Sequence, residues 1–324
     1  GPTGLISSLE KAPMADIYEV LEQRGFVSDC TDVEGFRKLT DEKSVSVYCG
    51  FDPTAPSLTI GNMVALMGLA HFQQGGHRPL ALMGGATGMI GDPSGKSEDR
   101  VLQTPEQIRA NMAGQRPQIE RFLRFDGENA AKIVNNFDWF APITFIEFLR
   151  DVGKNFRVGE MLGKESVRAR INSDSGISYT EFSYMLLQAY DFLHLYQDED
   201  CLVQCGGADQ WGNITAGMDL IRKTIAKQAF GITFPLITTA SGEKLGKTAK
   251  GAVWLDPSLT SVYDFYQYWV RCEDADAERF LKLFTFLPLE EVDAIVAEHK
   301  KAPESRSAQK RLAMEVTSMI DRKS

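Results

Sequence analysis

The repeated order of strand, glycine loop and helix is the feature that most restricts the fold of this 324-residue chain. A β-branched run at 44–49 ends at a glycine, helical apolar spacing follows over 62–74, and a second apolar run at 79–83 ends at Gly84. Strands joined in this way through a helix form a parallel crossover. We therefore predict an α/β fold built on a doubly wound parallel sheet, with ligands beyond the carboxyl ends of its strands.

The rest of the chain extends this pattern. We predict further strands over 131–135, 201–205 and 235–239, a helix over 213–227, and helical segments over 103–125 and 142–194. These helical segments predict an insertion in the core at about 103–194, and the helical pattern after the last strand predicts an appendage packed on it. The predicted domain limits are 1–235 for the catalytic domain with its insertion, 236–250 for a lysine loop, and 251–324 for the helical region.

Composition excludes several classes of protein. With 43% hydrophobic and 24% charged residues, the sequence is typical of an ordinary globular protein. It has no run of 18 apolar residues and its start lacks the build of a signal peptide, so we predict no membrane association and a cytoplasmic location. The five cysteines form no C-x-x-C pair, which predicts buried free thiols, no disulfides and no bound metal.

The net charge of -9 has the wrong sign for a protein that coats nucleic acid. Any contact with RNA must then use local basic patches, and the candidates are Arg168 with Arg170, and the segment 222–227. Such a group is more commonly a solvated helix face.

Two glycine-lysine segments resemble phosphate-binding P-loops but fail the pattern. The motif G-x-x-x-x-G-K-[ST] needs glycine at position 90 for the first segment and at position 241 for the second, where Ile90 and Ser241 stand. The dinucleotide pattern G-x-G-x-x-G is also absent from the first strand-helix turn, which argues against nicotinamide chemistry.

Two other segments have the chemistry of a nucleotide site. Residues 52–62 follow the first strand and place Gly61 where a helix begins, so that a base or phosphate can approach the backbone closely. Residues 244–248 place Lys244 and Lys247 three positions apart on a glycine-containing loop, where their ammonium groups can meet a polyphosphate.

This pair of segments resembles the HIGH and KMSKS signatures of class I aminoacyl-tRNA synthetases. Four further segments resemble the bacterial-type tyrosyl-tRNA synthetases, and the likeness runs from about residue 14 to the end. They are YCGFDPT at 48–54, GGATGMIGDPS at 84–94, YMLLQAYD at 184–191 and GGADQWGNI at 206–214. The resemblance implies a Rossmann-like core that makes tyrosyl-adenylate from L-tyrosine and ATP with Mg²⁺ and then charges tRNA(Tyr). It also implies a homodimer whose interface is formed around residues 142–182.

The resemblance also implies the roles of individual residues. For tyrosine it implies Tyr48 and Asp191 at the phenol, Tyr184, Gln188 and Asp92 around the ammonium group, and Gln204 nearby. For ATP it implies Gly50, Asp52, Gly61, Gly207, Asp209, Gln210 and Lys247. For catalysis it implies Thr54, Thr59, Asn62, Lys96, Arg100, Lys244, Lys247 and Thr248. These residue types suit the binding of tyrosine, because its buried phenol needs a hydrogen-bond donor and an acceptor, and its ammonium group needs a carboxylate.

Each of these residues also has a purely structural interpretation. Tyr184 and Asp191 lie seven positions apart on one predicted helix, where a tyrosine is commonly part of the core. Asp92 precedes a proline and is typical of a turn. Lys244 and Lys247 alone would be typical of a solvated loop. The combination of segments, not any single residue, favours the synthetase interpretation.

The sequence departs from the family at the HIGH segment, which reads Thr59-Ile60-Gly61-Asn62 and lacks both histidines. A TIGN form resembles some tryptophanyl enzymes, and Asn62 and Thr59 can still donate hydrogen bonds. Two alternatives stay open: a catalytically impaired paralogue with an RNA-binding or regulatory role, and a ligase for another aromatic amino acid, which would need changes at Tyr48 or Asp191. The family carries a C-terminal RNA-binding region beyond the point matching Ser324, so we expect adenylate formation but poor aminoacylation of tRNA.

Overall fold

The computed structural model describes residues 16–321, and a mostly parallel six-stranded sheet lies at its centre. The strands are β1 (Asp29–Cys30), β2 (Ser46–Phe51), β3 (Arg78–Met83), β4 (Lys132–Asn135), β5 (Cys201–Gly207) and β6 (Phe230–Phe234), and β7 (Lys247–Thr248) pairs with β8 (Gly251–Ala252) in a separate hairpin. The sheet order is β1-β6-β5-β2-β3-β4, with only the edge strand β1 antiparallel. The predicted α/β class with a doubly wound parallel sheet is confirmed.

The strand order creates a crevice at the carboxyl ends of β2 and β5. From β2 the chain moves outward to β3 and β4, and it then returns to the other side of β2 for β5 and β6. Connections leave β2 and β5 in opposite directions, so the loops that follow these neighbouring strands separate. Such a switch point is where open α/β sheets bind ligands.

Helices cover both faces of the sheet. They are α1 (Ile17–Gln23), α2 (Val33–Glu42), α3 (Ile60–Gln74), α4 (Pro105–Phe122), α5 (Phe137–Phe140), α6 (Phe145–Asp151), α7 (Val158–Gly163), α8 (Glu165–Ile171), α9 (Tyr179–Glu199), α10 (Trp211–Ile225), α11 (Val262–Val270), α12 (Asp274–Phe284), α13 (Leu289–Lys301) and α14 (Ser307–Ile320). One apolar core joins α1 to α4 with the C-terminal helices, and a second joins α9 and α10 with the segment between β4 and β5. None of the helices within residues 16–321 is long and apolar enough to cross a membrane.

Helix α3 begins at the HIGH segment and runs through the first core. Its apolar residues surround the helix axis instead of forming one stripe, and Met63, Leu66 and Phe72 are all fully buried. At Gly68 an added Cβ would lie 2.4 Å from the ring of Phe234 on β6. The close approach of helix and sheet therefore needs glycine at this position, and it fixes where the N-terminus of α3 meets the crevice.

Most of the predicted elements agree with the structure to within two residues, but the fifth predicted strand is wrong. The strand is Phe230–Phe234, which pairs with β5, and residues 235–239 form a loop. Pro235 has no N–H group and cannot continue the sheet ladder. The short elements α1, α2 and β1 and the β7–β8 hairpin were not predicted.

Strand β4 lies inside the range predicted for the insertion, yet it pairs with β3 in the main sheet. Helix α4 is the crossover between these two strands, and helices α5 to α9 fill the connection from β4 to β5. The first fifteen residues of the predicted catalytic domain and the last three of the helical region lie outside the described residues.

Two predictions about individual side chains need correction. All five cysteines are free, but Cys30 and Cys272 are only half-buried, because one lies on the edge strand and the other follows a helix. Arg170 was a candidate for contact with RNA, and this prediction is wrong. Its side chain is fully buried and forms ion pairs with Glu181 and Asp99. Arg168 on the same helix is exposed.

Candidate active site

A cavity of about 460 Å³ opens at the carboxyl ends of β2 and β5, where the strand order predicts it. Most of the predicted site residues line this one cavity: Tyr48, Gly50, Asp52, Thr54, Thr59, Gly61, Asn62, Asp92, Lys96, Arg100, Tyr184, Gln188, Asp191, Gly207, Asp209, Gln210, Lys244 and Lys247. They come from segments up to about 200 positions apart in the chain. The sheet and α9 bring them together.

One end of the cavity holds a phenol and a carboxylate that face inward from β2 and α9. The Tyr48 hydroxyl is buried and has no hydrogen-bond partner within residues 16–321. Asp191 accepts hydrogen bonds from Trp139 Nε1 at 2.9 Å and from Asn136 Nδ2 at 3.2 Å. Burial raises the pKa of Asp191 well above its ordinary value. This end therefore offers a free hydroxyl beside an oriented carboxyl group.

The middle of the cavity is acidic. The Tyr184 hydroxyl donates to Asp52 Oδ2 at 2.5 Å, and the Thr87 hydroxyl donates to Asp52 Oδ1 at 2.8 Å. Burial and the nearby Asp92 raise the pKa of Asp52 to about 6, despite these two hydrogen bonds. Because the Tyr184 hydroxyl donates its only proton in the hydrogen bond to Asp52, its oxygen can only accept further hydrogen bonds. This region is suited to a cation.

Amide side chains hold the acidic region in place. Gln210 Nε2 donates to Asp92 Oδ2 at 2.9 Å, and Asn213 Nδ2 donates to Gln188 Oε1 at 3.0 Å. Gln188 Nε2 in turn donates to Gln204 Oε1 at 2.8 Å. Gln204 thus supports Gln188 from the sheet without lining the cavity. The network fixes the orientation of the Asp92 carboxylate and of the Gln188 amide.

The HIGH segment forms the N-terminus of α3 at the edge of the cavity. Asn62 Oδ1 accepts hydrogen bonds from the Thr59 backbone N–H at 2.9 Å and from the Thr59 hydroxyl at 3.2 Å. The Asn62 Nδ2 group makes no hydrogen bond within residues 16–321, and it is the donor left for a ligand. Thr59 orients Asn62 and caps the helix, whereas Asn62 presents a donor.

Four cations converge on the other end of the cavity: Lys96, Arg100, Lys244 and Lys247. Burial lowers the pKa of Lys96, and so do the positive charges of the other three. Asp209 lies on the same side, where burial and the charge of Asp92 raise its pKa. A ligand with several negative charges would relieve the repulsion among these cations.

A buried ion pair fixes the segment that carries Lys96 and Arg100. Arg170 on α8 donates to Glu181 Oε2 at 2.7 Å and to Asp99 Oδ1 at 2.5 Å. Glu181 Oε1 accepts the backbone N–H of Arg100 at 3.0 Å. The side chain of Arg100 also donates from Nε to the carbonyl of Asp92 at 3.1 Å. Helices of the β4–β5 connection therefore position this segment.

The structure does not bring Thr248 to the cavity. It lies in the β7–β8 hairpin, where its hydroxyl donates to the Gly251 carbonyl at 3.1 Å, and it lines a second cavity behind the lysine loop. Sequence reasoning also missed residues that complete the site, among them Cys49, Thr87, Asn136 and Trp139. Asn136 and Trp139 follow the carboxyl end of β4, and that position alone could have identified them.

Comparison with known proteins gives one consistent family. The family model described as tRNA synthetases class I (W and Y) matches residues 40–324. The tyrosine–tRNA ligase of Bacillus caldotenax is 56% identical over 307 residues, which are 94% of this chain and 73% of that protein. The tyrosine–tRNA ligase of Rhodopirellula baltica is 55% identical over 304 residues, or 94% and 69% of the two chains.

Solved structures agree with the sequence relatives. A C-terminally truncated mitochondrial tyrosyl-tRNA synthetase of Aspergillus nidulans superimposes with a TM-score of 0.86 at 34% identity, covering 94% of this chain and 89% of that one. A tryptophanyl-tRNA synthetase of Plasmodium falciparum gives a TM-score of 0.66 at 12% identity, covering 93% and 82%. The latter likeness concerns the fold alone.

Proposed function

The chain belongs to the class I tRNA synthetases for tryptophan and tyrosine, among the tyrosine–tRNA ligases, and we propose that its cavity joins L-tyrosine to ATP and then to tRNA(Tyr). The arrangement of the cavity carries this proposal. A free hydroxyl and a carboxyl group lie at one end, acidic groups lie in the middle, and four cations lie at the other end. Tyrosine and a triphosphate present the complementary groups in that order.

The phenol end selects the amino acid. The substrate hydroxyl would accept a hydrogen bond from Tyr48 and donate one to Asp191, whose orientation Asn136 and Trp139 fix. Phenylalanine would leave both groups buried and unpaired. Sites built in this way reject the analogue that lacks the hydroxyl, and tyrosyl-tRNA synthetase is itself the established instance of this rule.

The acidic middle binds the ammonium group of tyrosine. Tyr184 would accept a hydrogen bond from it, because its own proton is held by Asp52. Asp92 and Gln188 face the same space. We assign Asp52, Gly50, Gly61, Gly207, Asp209 and Gln210 to ATP and the adenylate. In this arrangement Asp52 also acts on the ammonium group through Tyr184.

The activation step needs positioning and charge stabilisation but no general base, because its nucleophile is already a carboxylate. One carboxylate oxygen of tyrosine attacks the α-phosphorus of ATP, the bond to the bridging oxygen of the β-phosphate breaks, and pyrophosphate leaves with both bonding electrons. Asn62 would donate to the α-phosphate, with Thr54 and Thr59 on the same side. Lys96, Arg100, Lys244 and Lys247 would bind the charge of the pyrophosphate. Thr248 does not line the cavity and would act only through the shape of the loop.

Mg²⁺ would enter the site as part of the ATP substrate. The ammonium and guanidinium groups at the phosphate end do not ligate a cation, and we assign the Asp209 carboxylate beside them to ATP itself, so the oxygens of the triphosphate and water would be the ligands of Mg²⁺. In the second step a terminal ribose hydroxyl of tRNA(Tyr) attacks the tyrosyl carbonyl, the bond from this carbonyl to the phosphate oxygen breaks, AMP leaves with the bonding electrons, and its phosphate takes up the hydroxyl proton. Because this step supplies translation, we propose a cytoplasmic location.

We also propose a homodimer that uses the helices between β4 and β5. Several large apolar side chains of this region are exposed in the single chain: Phe145, Ile146, Leu149, Val158, Leu162, Ile171 and Tyr179. Exposed apolar residues concentrated in one region favour a protein interface. The basic exposed groups at Arg168 and 222–227 remain candidates for contact with tRNA.

The first test is tyrosine-dependent exchange of labelled pyrophosphate into ATP, with phenylalanine and tryptophan as alternative substrates. We expect exchange with tyrosine alone. In Tyr48→Phe and Asp191→Asn, the preference for tyrosine over phenylalanine should fall sharply, because the phenol loses a partner. A folded protein that binds tyrosine without any exchange would refute the proposal and favour an impaired paralogue.

A further inference from the structure

Helix α11 of the C-terminal region reaches the lysine loop through one hydrogen bond. The backbone N–H of Gly246 donates to the hydroxyl of Tyr268 at 2.7 Å. Gly246 lies between Lys244 and Lys247, two of the lysines that line the active-site cavity. Tyr268 itself does not line that cavity, so its hydroxyl acts on the loop from outside the site.

The peptide at Gly246 is also tied to the N-terminus of α3. Its carbonyl accepts the N–H of Val253 at 2.8 Å, and the carbonyl of Val253 accepts the N–H of Ile60 at 3.1 Å. Gly246 has a φ of +78°, and an added Cβ would lie 3.0 Å from Cβ of Ile60. The loop is therefore seated between α3 on one side and α11 on the other, in a conformation that favours glycine.

A second cavity of about 630 Å³ lies behind the lysine loop. Lys247, Thr248, Trp254 and Tyr268 are among its lining residues. The loop thus separates two open spaces, and the side chain of Leu245, between the two lysines, is buried in the first apolar core. Lys244 and Lys247 are exposed on either side of this buried backbone, so the direction of their side chains depends on how the backbone is held. Burial raises the pKa of Tyr268 above its ordinary value, so its hydroxyl remains neutral at physiological pH.

We infer that Tyr268 is a positioning residue for the activation step. By holding the Gly246 peptide, it presents the ammonium groups of Lys244 and Lys247 to the triphosphate before ATP binds. The inference rests on the proposed role of these lysines. Without the hydroxyl, ATP must order the loop as it binds, and part of its binding energy is spent on that ordering. The tyrosine pocket lies at the far end of the cavity and does not depend on the bond.

The test compares Tyr268→Phe with Tyr266→Phe on the same helix. Tyr266 is half-buried and lines neither cavity, so its variant loses a hydroxyl without touching the loop. In tyrosine-dependent pyrophosphate exchange, Tyr268→Phe should raise the KM for ATP by about 3- to 10-fold, the usual effect of one hydrogen bond. Its dissociation constant for tyrosine should match that of Tyr266→Phe. Amide hydrogen exchange at Gly246 should be faster in Tyr268→Phe alone.

Lys247→Met separates failure of this inference from failure of the proposed function. If Lys247→Met impairs exchange but Tyr268→Phe equals Tyr266→Phe in both KM for ATP and amide exchange, the positioning role is refuted. If Tyr268→Phe weakens tyrosine and ATP binding in equal proportion, its effect is a general loss of structure, and the inference is again refuted. If Lys247→Met leaves the kinetics unchanged, the proposed role of the loop fails, and this inference fails with it.

Discussion

At the residue scale, the two positions that depart from the HIGH signature perform different tasks. The Thr59 hydroxyl and backbone N–H both donate to Asn62 Oδ1. This fixes the amide so that Nδ2 is the group left to donate into the cavity. By sequence, these two positions are places where the family has histidine and this chain does not. In the structure, Asn62 still presents one hydrogen-bond donor, and Thr59 holds its amide in place.

Replacing Asn62 by aspartate tests this division of roles. Asn62→Asp keeps the oxygen that caps α3 but loses the donor, and we expect kcat for pyrophosphate exchange to fall about 100-fold, the usual effect of losing one transition-state donor. The dissociation constant for tyrosine should change little. A control is Asp32→Asn, which makes the opposite exchange of carboxylate and amide at the N-terminus of α2, away from the cavity. Equal exchange rates in the two variants would contradict the role of Asn62.

Two buried histidines make the stability of the protein depend on pH. Burial lowers the pKa of His71 to about 3, where the charge of Arg24 adds to the effect, and burial lowers the pKa of His77 to about 4. The unfolded chain takes up protons near pH 6.5, whereas the folded chain does not. Stability is therefore complete above pH 6.5 and is lost as the pH falls toward these folded values.

The free energy of unfolding in urea should fall by about 2 kcal/mol per histidine between pH 7.5 and pH 5. His71→Phe keeps an aromatic ring between Phe26 and Phe286. In this variant the decrease in the free energy of unfolding between pH 7.5 and pH 5 should be smaller by about 2 kcal/mol. An unchanged pH dependence in His71→Phe would show that His71 binds protons equally in the folded and the unfolded chain, which would contradict this prediction.

At the element scale, α8 and α9 act as a clamp on the segment that carries two of the four cations. Arg170 is fully buried against Glu181, and together they hold Asp99 and the backbone of Arg100. A buried pair of this kind is expensive to break, because the remaining charge is left unpaired. Asp99 is the half-exposed end of the clamp and can be changed without that penalty.

Asp99→Asn should therefore loosen the segment and leave the fold intact. We expect the KM for ATP to rise a few-fold, about the effect of one charged hydrogen bond, with tyrosine binding unchanged. Glu199→Gln is a suitable control, because Glu199 pairs with Arg78 and Lys132 at the opposite edge of the sheet. If both variants shift the KM for ATP equally, the clamp does not position Lys96 and Arg100.

At the scale of the whole molecule, charge and apolar surface are unevenly distributed. The chain carries a net charge of -9, yet four cations face one end of a single cavity. Phe145 and Ile146 on α6 are 65% and 69% exposed in the single chain. Adjacent apolar side chains this exposed favour a partner, and the proposed partner is a second copy of the chain.

A double substitution on α6 tests the proposed dimer. Phe145→Glu with Ile146→Glu should convert a dimer into a monomer at micromolar concentration, because burying the two carboxylates in the interface is unfavourable. Light scattering after size-exclusion chromatography measures the mass directly. Met314→Glu, which alters a half-exposed residue on α14, should leave the mass unchanged. A monomeric wild-type protein, or a double variant that stays dimeric, would contradict the interface.

The sequence alone determined the class of fold and most of its elements, because these depend on local patterns. The strand-like apolar runs at 44–49 and 79–83 are separated by a segment with helical spacing of apolar residues, and a glycine follows each run. The error at 235–239 also has a local cause, since Pro235 ends the strand that precedes it. The predicted cavity residues came from resemblance, and the carboxyl-end rule placed their loops together.

Only the tertiary structure decided which of those residues orient their neighbours and which remain free to bind a ligand. Asp191 depends on Asn136 and Trp139, and Gly246 depends on Tyr268, across separations of 22 to 55 positions. No pattern of spacing encodes such contacts. They exist because the strand order and the packing of helices bring distant segments within 3 Å or so, where hydrogen bonds select one orientation of each group. The sequence specifies which groups are present, and packing specifies which of them remain free to bind a substrate.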